Sequence, residues 1–380
     1  MWIAHFANTI VGKPGNIGVR TDKILRALSA GGHRGYCLSR QSLFHADKVL
    51  YRDMGWLGHV PRALNAFRIY LAPGFNHRYP DVKLFEWFAR RYLAEAFVEK
   101  PAVAHVWDAC PRLMAALKSA GLPIVLDTPV APTAYSLRIR QTYGLDCLMT
   151  HQSMLDFERQ AFELADRIVA PSQFVADELL AEGVARTKIR VVEFGVDIPK
   201  PVSSARKQSK DGVDFVFVGN VNRRKGTDLL IAAWDDPAFR DDRLHLCGRV
   251  FPEFNRYLTA TQGGKIVLPG FIKPFDYLQH CEIFVFPSWL EGSAKAVYEA
   301  MACGLPVIAT HSAGSIIRDG IDGFIIDAGD VGTLRKRMLW FKANPEQAIS
   351  MGASAAQRAR DFSWSRYTQR ILDIYRELTG

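Results

Sequence analysis

The sequence predicts two successive α/β domains, each built as a doubly wound parallel sheet of the Rossmann type. Three observations predict this fold class. Apolar strand-like runs alternate with helical patterns along the chain, one polar segment interrupts the alternation near the middle, and the alternation then starts again. The chain has 380 residues, of which 48% are hydrophobic and 23% are charged, and this length suits two domains of ordinary size.

The first domain is expected to cover residues 1–198. Its strand-like runs are residues 2–7, 35–39, 102–106, 124–126 and 167–170, and a helical pattern covers 19–30. Short apolar runs between helical patterns are typical of parallel strands that are buried on both faces. We therefore expect the residues that follow each strand to lie at the ligand-binding edge of the sheet.

A segment rich in Pro, Ser and Lys, residues 199–212, is interpreted as the linker between the domains. The second domain is expected to cover 199–361. Its predicted strands are residues 214–218, 243–247, 265–268, 283–286, 307–309 and 323–326, and a predicted helix covers 298–303. The alternation in this half repeats that of the first half, which predicts a second parallel sheet.

The net charge of +9 comes entirely from the first part of the chain. Residues 1–150 hold 19 Lys and Arg against 10 Asp and Glu, whereas residues 151–380 hold 29 of each. Such an excess attracts polyanions without specifying which one, so anionic lipid and phosphorylated acceptors are both candidate partners. The motifs described below favour these partners over nucleic acid, which we do not expect this chain to bind.

The six cysteines are scattered and form no Cys-x-x-Cys pair, so neither a disulfide framework nor a zinc site is predicted. No run approaches the roughly 18 apolar residues that span a bilayer. Residues 1–10 lack the basic flank and the cleavage site of a signal peptide, and we interpret them as the first strand. A cytoplasmic location is the expectation.

The densest motif covers residues 286–310, where a strand ends at Pro287-Ser288 and a loop with Glu291 leads into a helix with Glu299. The backbone amides of Ala294, Lys295 and Ala296 at the start of this helix are suited to bind a diphosphate. Glu299 is placed to accept hydrogen bonds from a ribose, and Glu291 to orient hydroxyls of a transferred sugar. The alternative is a solvated helix face, capped by Ser293 and Gly304.

This motif resembles family 4 of the retaining GT-B glycosyltransferases. It has the Pro-Ser and Glu-Gly pairs, seven residues between two glutamates, and the sequence Glu-Ala-Met-Ala-Cys-Gly-x-Pro-Val-Ile. Further matches occur in the same order at residues 165–172, 195–197, 217–219, 225–226 and 322–324. The resemblance implies a GT-B architecture, with an acceptor-binding first domain and a nucleotide-sugar-binding second domain. It also implies that a terminal helix, residues 362–380, packs back on the first domain.

Within this resemblance, Lys225 is assigned to the leaving diphosphate, because a cation stabilises the charge that grows as the glycosidic bond breaks. The alternative is an ordinary exposed lysine. Gly219 ends the preceding strand and is followed by Asn220, where the family often has an arginine. Arg223 or Arg224 is the candidate replacement, and we place Gly219 and Arg224 in the donor site.

The glycine-rich loop of residues 12–18 resembles the family's first loop, which approaches the donor phosphate and sugar. Gly15 and Gly18 are the assigned contacts. The spacing differs from the Gly-x-Gly-x-x-Gly pattern of dinucleotide sites, and the next strand ends at Arg40 instead of an acidic residue. An NADP-linked oxidoreductase, with Arg40 on the 2′-phosphate, is therefore the weaker alternative.

Many family members carry a histidine where this chain has Asp127-Thr128-Pro129. We place Asp127 in the catalytic group as a hydroxyl acceptor, with a simple turn cap as an equally supported alternative. Asp108 also follows a strand, but turn capping is the favoured interpretation there. Residues 84–100 are aromatic and basic, a composition typical of a membrane interface, although most such helices pack on a sheet.

The resemblance implies retaining transfer from a UDP- or GDP-sugar to a hydroxyl of a saccharide or a polyprenyl-diphosphate-linked acceptor. Such a reaction serves polysaccharide or glycolipid biosynthesis and suits an enzyme on the inner face of the cytoplasmic membrane. The sequence has no Asp-x-Asp motif, so we expect no metal and no cofactor, with cations and helix amides neutralising the leaving group. A non-catalytic sugar-nucleotide-binding subunit is a further alternative.

Overall fold

The computed structural model describes residues 1–13, 16–60, 63, 78–145, 152–199, 212–254, 258 and 263–380, and the structural statements below concern these residues. The chain divides into two compact units, one formed by Met1–Val192 with Trp364–Gly380, the other by Glu193–Ser363. Gly15 and residues 200–211 of the predicted linker lie outside the described residues.

The first unit contains a seven-stranded sheet in the order β3-β2-β1-β4-β5-β6-β7, and every neighbouring pair is parallel. The strands are β1 Trp2–Val11, β2 Arg34–Ser42, β3 Val49–Asp53, β4 Val103–Trp107, β5 Ile124–Asp127, β6 Arg167–Ala170 and β7 Ile189–Val191. The helices are Asn16–Ala30, Arg78–Arg91, Leu93–Ala96, Pro111–Ser119, Thr133–Tyr143, Gln152–Leu164, Gln173–Ala181 and Trp364–Thr379. The strand order reverses between β1 and β4, which is where ligands bind in open α/β sheets.

The second unit contains a six-stranded parallel sheet in the order β10-β9-β8-β11-β12-β13. The strands are β8 Asp214–Val218, β9 Arg243–Cys247, β10 Lys265–Gly270, β11 Ile283–Phe286, β12 Val307–Thr310 and β13 Gly323–Ile326. The helices are Thr227–Trp234, Pro274–Leu278, Lys295–Ala302, Val331–Ala343 and Pro345–Ala359. Here the order reverses between β8 and β11, so the loops after these two strands are the expected ligand-binding loops.

The two parallel sheets confirm the predicted fold class. The central strands β4, β5, β11 and β12 are buried at every residue, which explains why their sequences are continuous apolar runs. Strands β3 and β7 were not predicted. Both lie at the edges of the first sheet, and their residues are only partly buried or exposed, so they lack the apolar run of a central strand.

The terminal helix Trp364–Thr379 belongs to the core of the first unit. Its residues Tyr367, Ile371 and Tyr375 are buried in the cluster that also contains Ile3 and Ala7 of β1. Apolar burial therefore holds this helix to a strand from the other end of the chain. No helix among the described residues has both the length and the hydrophobicity to cross a membrane.

A buried polar network strengthens this attachment. Arg20 donates from Nη2 to both carboxylate oxygens of Asp127, at 3.0 Å each, and from Nε to the hydroxyl of Tyr367 at 3.0 Å. The guanidinium carbon also lies 4.6 Å from the ring centre of Trp107. Arg20 and Asp127 are at most 1% exposed. A buried charge of this kind is tolerated because its hydrogen-bonding capacity is used.

A second part of the network is a pair of buried histidines. The rings of His5 and His105 stack with their centres 4.8 Å apart, and the hydroxyl of Tyr375 lies 3.2 Å from His5 Nε2 and 2.7 Å from His105 Nδ1. Burial lowers the pKa of His5 well below its usual value, and the neighbouring His105 lowers it further. Burial likewise lowers the pKa of His105, although Asp127 opposes this shift.

These lowered pKa values predict acid sensitivity of the first unit. Below the ordinary histidine pKa of about 6.5, the unfolded chain binds protons that the folded protein excludes, so the free energy of unfolding falls by up to about 1.4 kcal/mol per pH unit and histidine. The stability that comes from keeping these histidines neutral is complete above the ordinary histidine pKa and is lost as the pH falls below it. We expect the free energy of unfolding, measured with urea, to fall less in His5→Gln than in the wild-type protein between pH 7.5 and 5.5. An unchanged pH slope in this variant would contradict the assignment.

Candidate functional site

The loop after β8 is built to hold Lys225 in place. Residues Arg223–Lys225 form a short 3-10 helix, capped by Asn222, whose side-chain oxygen accepts a hydrogen bond from the Lys225 amide at 3.1 Å. The hydroxyl of Thr227 donates to the Asn222 carbonyl at 3.0 Å. Hydrogen bonds within the loop therefore fix its conformation.

Gly226 allows this loop to touch the end of β11. Its φ is +67°, a left-handed value that favours glycine, and a Cβ atom here would lie 1.9 Å from the carbonyl oxygen of Pro287. The amide of Trp289 also donates to the Arg224 carbonyl at 3.0 Å. These contacts join the loops after β8 and β11, the two strands between which the order of the sheet reverses.

The side chains of the two loops form an ionic cluster around Glu291. Oε1 of Glu291 accepts hydrogen bonds from Lys225 Nζ at 2.5 Å, Arg224 Nη1 at 3.2 Å and Ser288 Oγ at 3.0 Å. Ser288 is itself fixed, because its carbonyl accepts from the hydroxyls of Thr310 at 2.6 Å and Ser312 at 2.7 Å. Two cations thus share one carboxylate.

The pKa values follow from this arrangement. For Glu291, burial opposes ionisation, but the charges of Lys225 and Arg224 outweigh it and lower the pKa of the carboxyl group. For Lys225, burial and the charge of Arg224 lower the pKa of the ammonium group, against the stabilising charge of Glu291. Glu291 is therefore a carboxylate at neutral pH. The Lys225 side chain is only 14% exposed, so the alternative of an ordinary exposed lysine is wrong.

The helix Lys295–Ala302 follows the Glu291 loop and carries Glu299. Its residues from Val297 to Ala302 are buried, so the alternative of a solvated helix face is also wrong. Ser293 does not cap the helix, since its hydroxyl bonds that of Tyr298 at 2.9 Å and the capping position is taken by Ala294. Glu299 is 5% exposed, and the ammonium group of Lys295 contacts its carboxylate.

The predicted anion site at the start of this helix needs one correction. The Ala294 amide donates to the carbonyl of Ala313 at 3.0 Å, so it is not free to bind a phosphate. The amides of Lys295 and Ala296 are in the first turn, where a helix offers no intrahelical acceptor. These two amides, and the Lys295 side chain, are the groups that remain for an anion.

Close packing gives Gly18, but not Gly219, a structural reason to be glycine. A Cβ on Gly219 would closely approach only the Phe217 ring, at 3.1 Å, and the 2.1 Å approach of the Gly219 carbonyl concerns a Cβ at Gly248. A Cβ on Gly18 would lie 2.3 Å from the carbonyl oxygen of Ile10, and the Gly18 carbonyl accepts from the Gly12 amide at 3.0 Å. Close backbone packing therefore accounts for Gly18 without a ligand.

The structure corrects the expectation for Asp127. Its carboxylate is fully buried, both oxygens accept from Arg20, and His105 Nε2 lies 3.6 Å from Oδ2. This placement gives Asp127 a positioning role in the core of the first unit instead of contact with a substrate hydroxyl. No local sequence pattern marks Arg20 as part of this network, because its partner Asp127 lies 107 residues further along the chain.

Of the predicted site residues, Lys225, Arg224 and Glu291 meet directly, and Glu299 pairs with Lys295. Asn222, Ser288 and Ser312, which fix the cluster, were not predicted to have a role. Ser288 belongs to the Pro-Ser pair that follows β11, and this pair was the sequence feature that could have identified it as part of the site. Among the described residues, no group of three or more His, Cys, Asp and Glu side chains could hold a metal ion.

Two family models match the sequence. The model of the "Glycosyl transferases group 1" matches residues 212–344, and that of "Glycosyltransferase Family 4" matches residues 17–200. The chain belongs to the family 4 glycosyltransferases. The first match contains the cluster of Lys225 and Glu291, and the second contains most of the first unit.

Individual relatives agree with this family. A D-inositol 3-phosphate glycosyltransferase of Kribbella flavida is 29% identical over 251 residues, which are 58% of this chain and 59% of that protein. The match thus spans less than two thirds of the relative. The sucrose-phosphate synthase of Thermosynechococcus elongatus superposes with a TM-score of 0.77 at 20% identity, covering 99% of this chain and 98% of the other.

A third comparison is with Anabaena HepE in complex with UDP and glucose, which has a TM-score of 0.65 at 16% identity and covers 98% of this chain and 99% of the other. Identities this low show the fold alone. Together these likenesses show that this family 4 chain has the GT-B fold.

The close approach at Gly226 predicts that the loop after β8 is sensitive to an added side chain at this position. Gly226→Ala should lower the free energy of unfolding by about 2–4 kcal/mol, through left-handed strain and overpacking against Pro287. Gly320 is the matched control, because its φ is +72° and no atom lies within 4 Å of its added Cβ. Gly320→Ala should cost only the strain, about 1 kcal/mol. Equal losses in urea unfolding would show that the Pro287 contact is unimportant.

The role of Asp127 is tested separately. Asp127→Asn should destabilise the protein by about 3 kcal/mol, because it leaves the buried guanidinium of Arg20 without its charge partner. Asp373→Asn removes an exposed partner of Arg376 on the terminal helix and should change stability by no more than about 0.5 kcal/mol. Thermal unfolding measures both. Normal stability of Asp127→Asn with loss of activity would instead support substrate contact.

Proposed function

We propose that this chain transfers a glycosyl group from a UDP- or GDP-sugar to a hydroxyl of a saccharide or lipid-linked saccharide, with retention of configuration and without a metal ion. The observation that carries this proposal is the cluster of Lys225, Arg224 and Glu291 beside the N-terminus of the helix that bears Glu299. Family membership supports the reaction class, and HepE provides a precedent for UDP on this fold.

The cluster has the charge that a diphosphate needs. Arg224 and Lys225 share the single carboxylate of Glu291, so one positive charge remains uncompensated within the cluster. The amides of Lys295 and Ala296 add the positive end of a helix dipole. In the proposed complex these groups bind the two phosphates and stabilise the charge that the nucleoside diphosphate gains as it departs.

Glu299 is the proposed ribose ligand. Its carboxylate is nearly buried one turn into the helix, and its partner Lys295 has a side chain that is 45% exposed. An exposed lysine can turn towards a phosphate when the ribose hydroxyls replace it at Glu299, so both charges keep a partner. A carboxylate can accept two hydrogen bonds from neighbouring hydroxyls, which suits a ribose diol.

The proposed chemistry needs no protein nucleophile. The bond between the anomeric carbon and the diphosphate oxygen breaks, and the acceptor oxygen forms a new bond on the same face. The acceptor proton passes to the departing phosphate oxygen. Glu291 is held by three hydrogen bonds on one oxygen, Oε1, and its place beside the cations suits orientation of the donor sugar. Lys225 and Arg224 supply the electrostatic stabilisation that a metal provides elsewhere.

We further propose that the acceptor is attached to or near an anionic membrane, as in polysaccharide or glycolipid biosynthesis. The first 150 residues carry the whole net charge, and Phe44, Trp56 and Trp87 of this unit are 52%, 76% and 56% exposed. Cationic surface with exposed aromatic rings favours contact with anionic lipid. In the helix Arg78–Arg91, however, Phe85 and Phe88 are buried, so packing explains part of its aromatic composition.

The central test is turnover by a Lys225 variant. Release of nucleoside diphosphate is measured with UDP- and GDP-sugars that stabilise the protein in a thermal-shift screen. Lys225→Met should lower turnover about a hundredfold or more, because it removes a cation aimed at the leaving group. Lys336→Met removes an exposed lysine of the same unit and should leave turnover unchanged. Equal turnover in the two variants would remove the basis for the proposal.

The same assay tests metal independence, retention of configuration and the alternative of a non-catalytic subunit. Turnover should persist in EDTA, and loss of turnover that Mg²⁺ restores would refute metal independence. The anomeric proton of the product should show the configuration of the donor, whereas an inverted product would refute retention. If the wild-type protein binds nucleotide sugars but never turns them over, the non-catalytic binding subunit becomes the better description.

A further inference from the structure

Lys295 stands at a position where helix stability gives no reason for a lysine. It is the first residue of the helix Lys295–Ala302, and the first turn of this helix contains no acidic residue. The N-terminus of a helix carries the positive end of the helix dipole, so a cation at this position is unfavourable. Residues that break a rule of local stability in this way are expected at functional sites.

The ion pair between Lys295 and Glu299 does not explain the lysine as a helix-stabilising residue either. The two residues are four positions apart, and the lysine is on the N-terminal side. Helices gain more from the opposite order, with the glutamate first, because that order agrees with the dipole. The pair instead serves Glu299, whose side chain is 7% exposed and has no other hydrogen-bond or ionic partner in the described part of the chain.

A ribose bound at Glu299 would compete with Lys295. A buried carboxylate needs hydrogen bonds or an opposite charge, and Lys295 provides both. Two ribose hydroxyls would occupy the carboxylate oxygens and release the ammonium group from its pair. The side chain of Lys295 is 45% exposed, so solvent on one side leaves room for another rotamer. The released ammonium group would then lack a partner unless the ligand also brought an anion.

A phosphate at the start of the same helix would be that anion. The amide of Ala294 donates to the carbonyl of Ala313, so the first turn offers the amides of Lys295 and Ala296. A cation beside these amides compensates for the donor that Ala294 cannot supply. The first position of the helix places the ammonium group within one side-chain length of both amides. The position that the dipole disfavours is thus the one from which a lysine reaches a bound phosphate.

We propose that Lys295 is a specificity-determining residue that makes the binding of ribose and the binding of diphosphate interdependent. The ammonium group pairs with Glu299 in the protein alone and with the diphosphate in the complex, so a nucleotide leaves neither charge without a partner. A nucleoside breaks the pair and offers no phosphate in exchange. The site therefore selects diphosphates over nucleosides by more than the phosphate contacts alone. The inference rests on the proposed function and specifies how its donor site recognises the nucleotide.

The test measures a nucleoside and its diphosphate with the same variants of the full chain. The probes are uridine with UDP and guanosine with GDP, titrated by saturation-transfer difference NMR for the nucleosides and by calorimetry for the diphosphates. In Lys295→Met the nucleoside should bind about fivefold more tightly, because Glu299 has no ion pair to give up. The diphosphate should bind only about twofold more weakly, because the same gain offsets part of the lost phosphate contact. The ratio of the two dissociation constants should therefore fall about tenfold.

Other patterns of change in Lys295→Met would overturn the inference. If the diphosphate binds about tenfold more weakly and the nucleoside is unchanged, Lys295 contacts phosphate without exchanging partners. If both ligands change by the same factor, the lysine has only a structural role. A nucleoside whose binding to the wild-type protein is too weak to detect has to become detectable with the variant, and its continued failure to bind also contradicts the exchange.

Further variants separate this exchange from a general effect of charge. Lys295→Arg keeps a cation that can pair with either anion and should keep the wild-type ratio within about twofold. Lys336→Met removes an exposed lysine elsewhere in the same unit and should leave both dissociation constants unchanged. In a Glu299→Gln background no ion pair remains to be released, so adding Lys295→Met should no longer tighten nucleoside binding. Tightening of similar size in that background would overturn the inference.

The same titrations distinguish this inference from the proposed function. If the wild-type protein binds neither UDP nor GDP, the proposed donor site is wrong and the exchange of partners has no basis. If a diphosphate binds and Lys225→Met weakens its binding, but Lys295→Met leaves the ratio unchanged, the donor site stands. Only the interdependence of ribose and diphosphate binding is then wrong.

Discussion

The ion pair between Lys225 and Glu291 is the interaction on which the candidate donor site depends. It joins the loops that follow β8 and β11, the strands between which the order of the second sheet reverses. Desolvating two charges is costly, and the cost is offset only when geometry and further hydrogen bonds are good. Arg224 and Ser288 supply those bonds, and the glycine at 226 permits the approach. Contacts within the protein thus fix the positions of both cations, and cations held in this way lose less freedom on binding an anion.

The sequence predicted the central strands well because strands that are buried on both faces are continuous runs of apolar residues. The edge strands β3 and β7 have no such apolar run, because their side chains are only partly buried or exposed. In the site, the family pattern selected Lys225, Arg224 and Glu291 one at a time. Their shared hydrogen bonds depend on two loops that are more than sixty residues apart in the chain. Only the folded structure shows that these two loops lie close enough for their side chains to form hydrogen bonds.

Asp127 shows the limit of reasoning from strand ends. Its position at the end of β5 suggested contact with a substrate, but the carboxylate turns into the core, to an arginine of the first helix. That arginine in turn bonds Tyr367 of the terminal helix. One carboxylate thus connects three distant parts of the chain, and local sequence contains no information about such partners.

The charge balance of the cluster around Glu291 is what makes it suit the donor that we propose. Lys225 and Arg224 face one carboxylate, so one positive charge is left over. A diphosphate would neutralise that charge, whereas a neutral sugar in the same place would not. Charge alone therefore favours the nucleotide part of the proposed donor over a neutral acceptor at this cluster, without any need for steric selection.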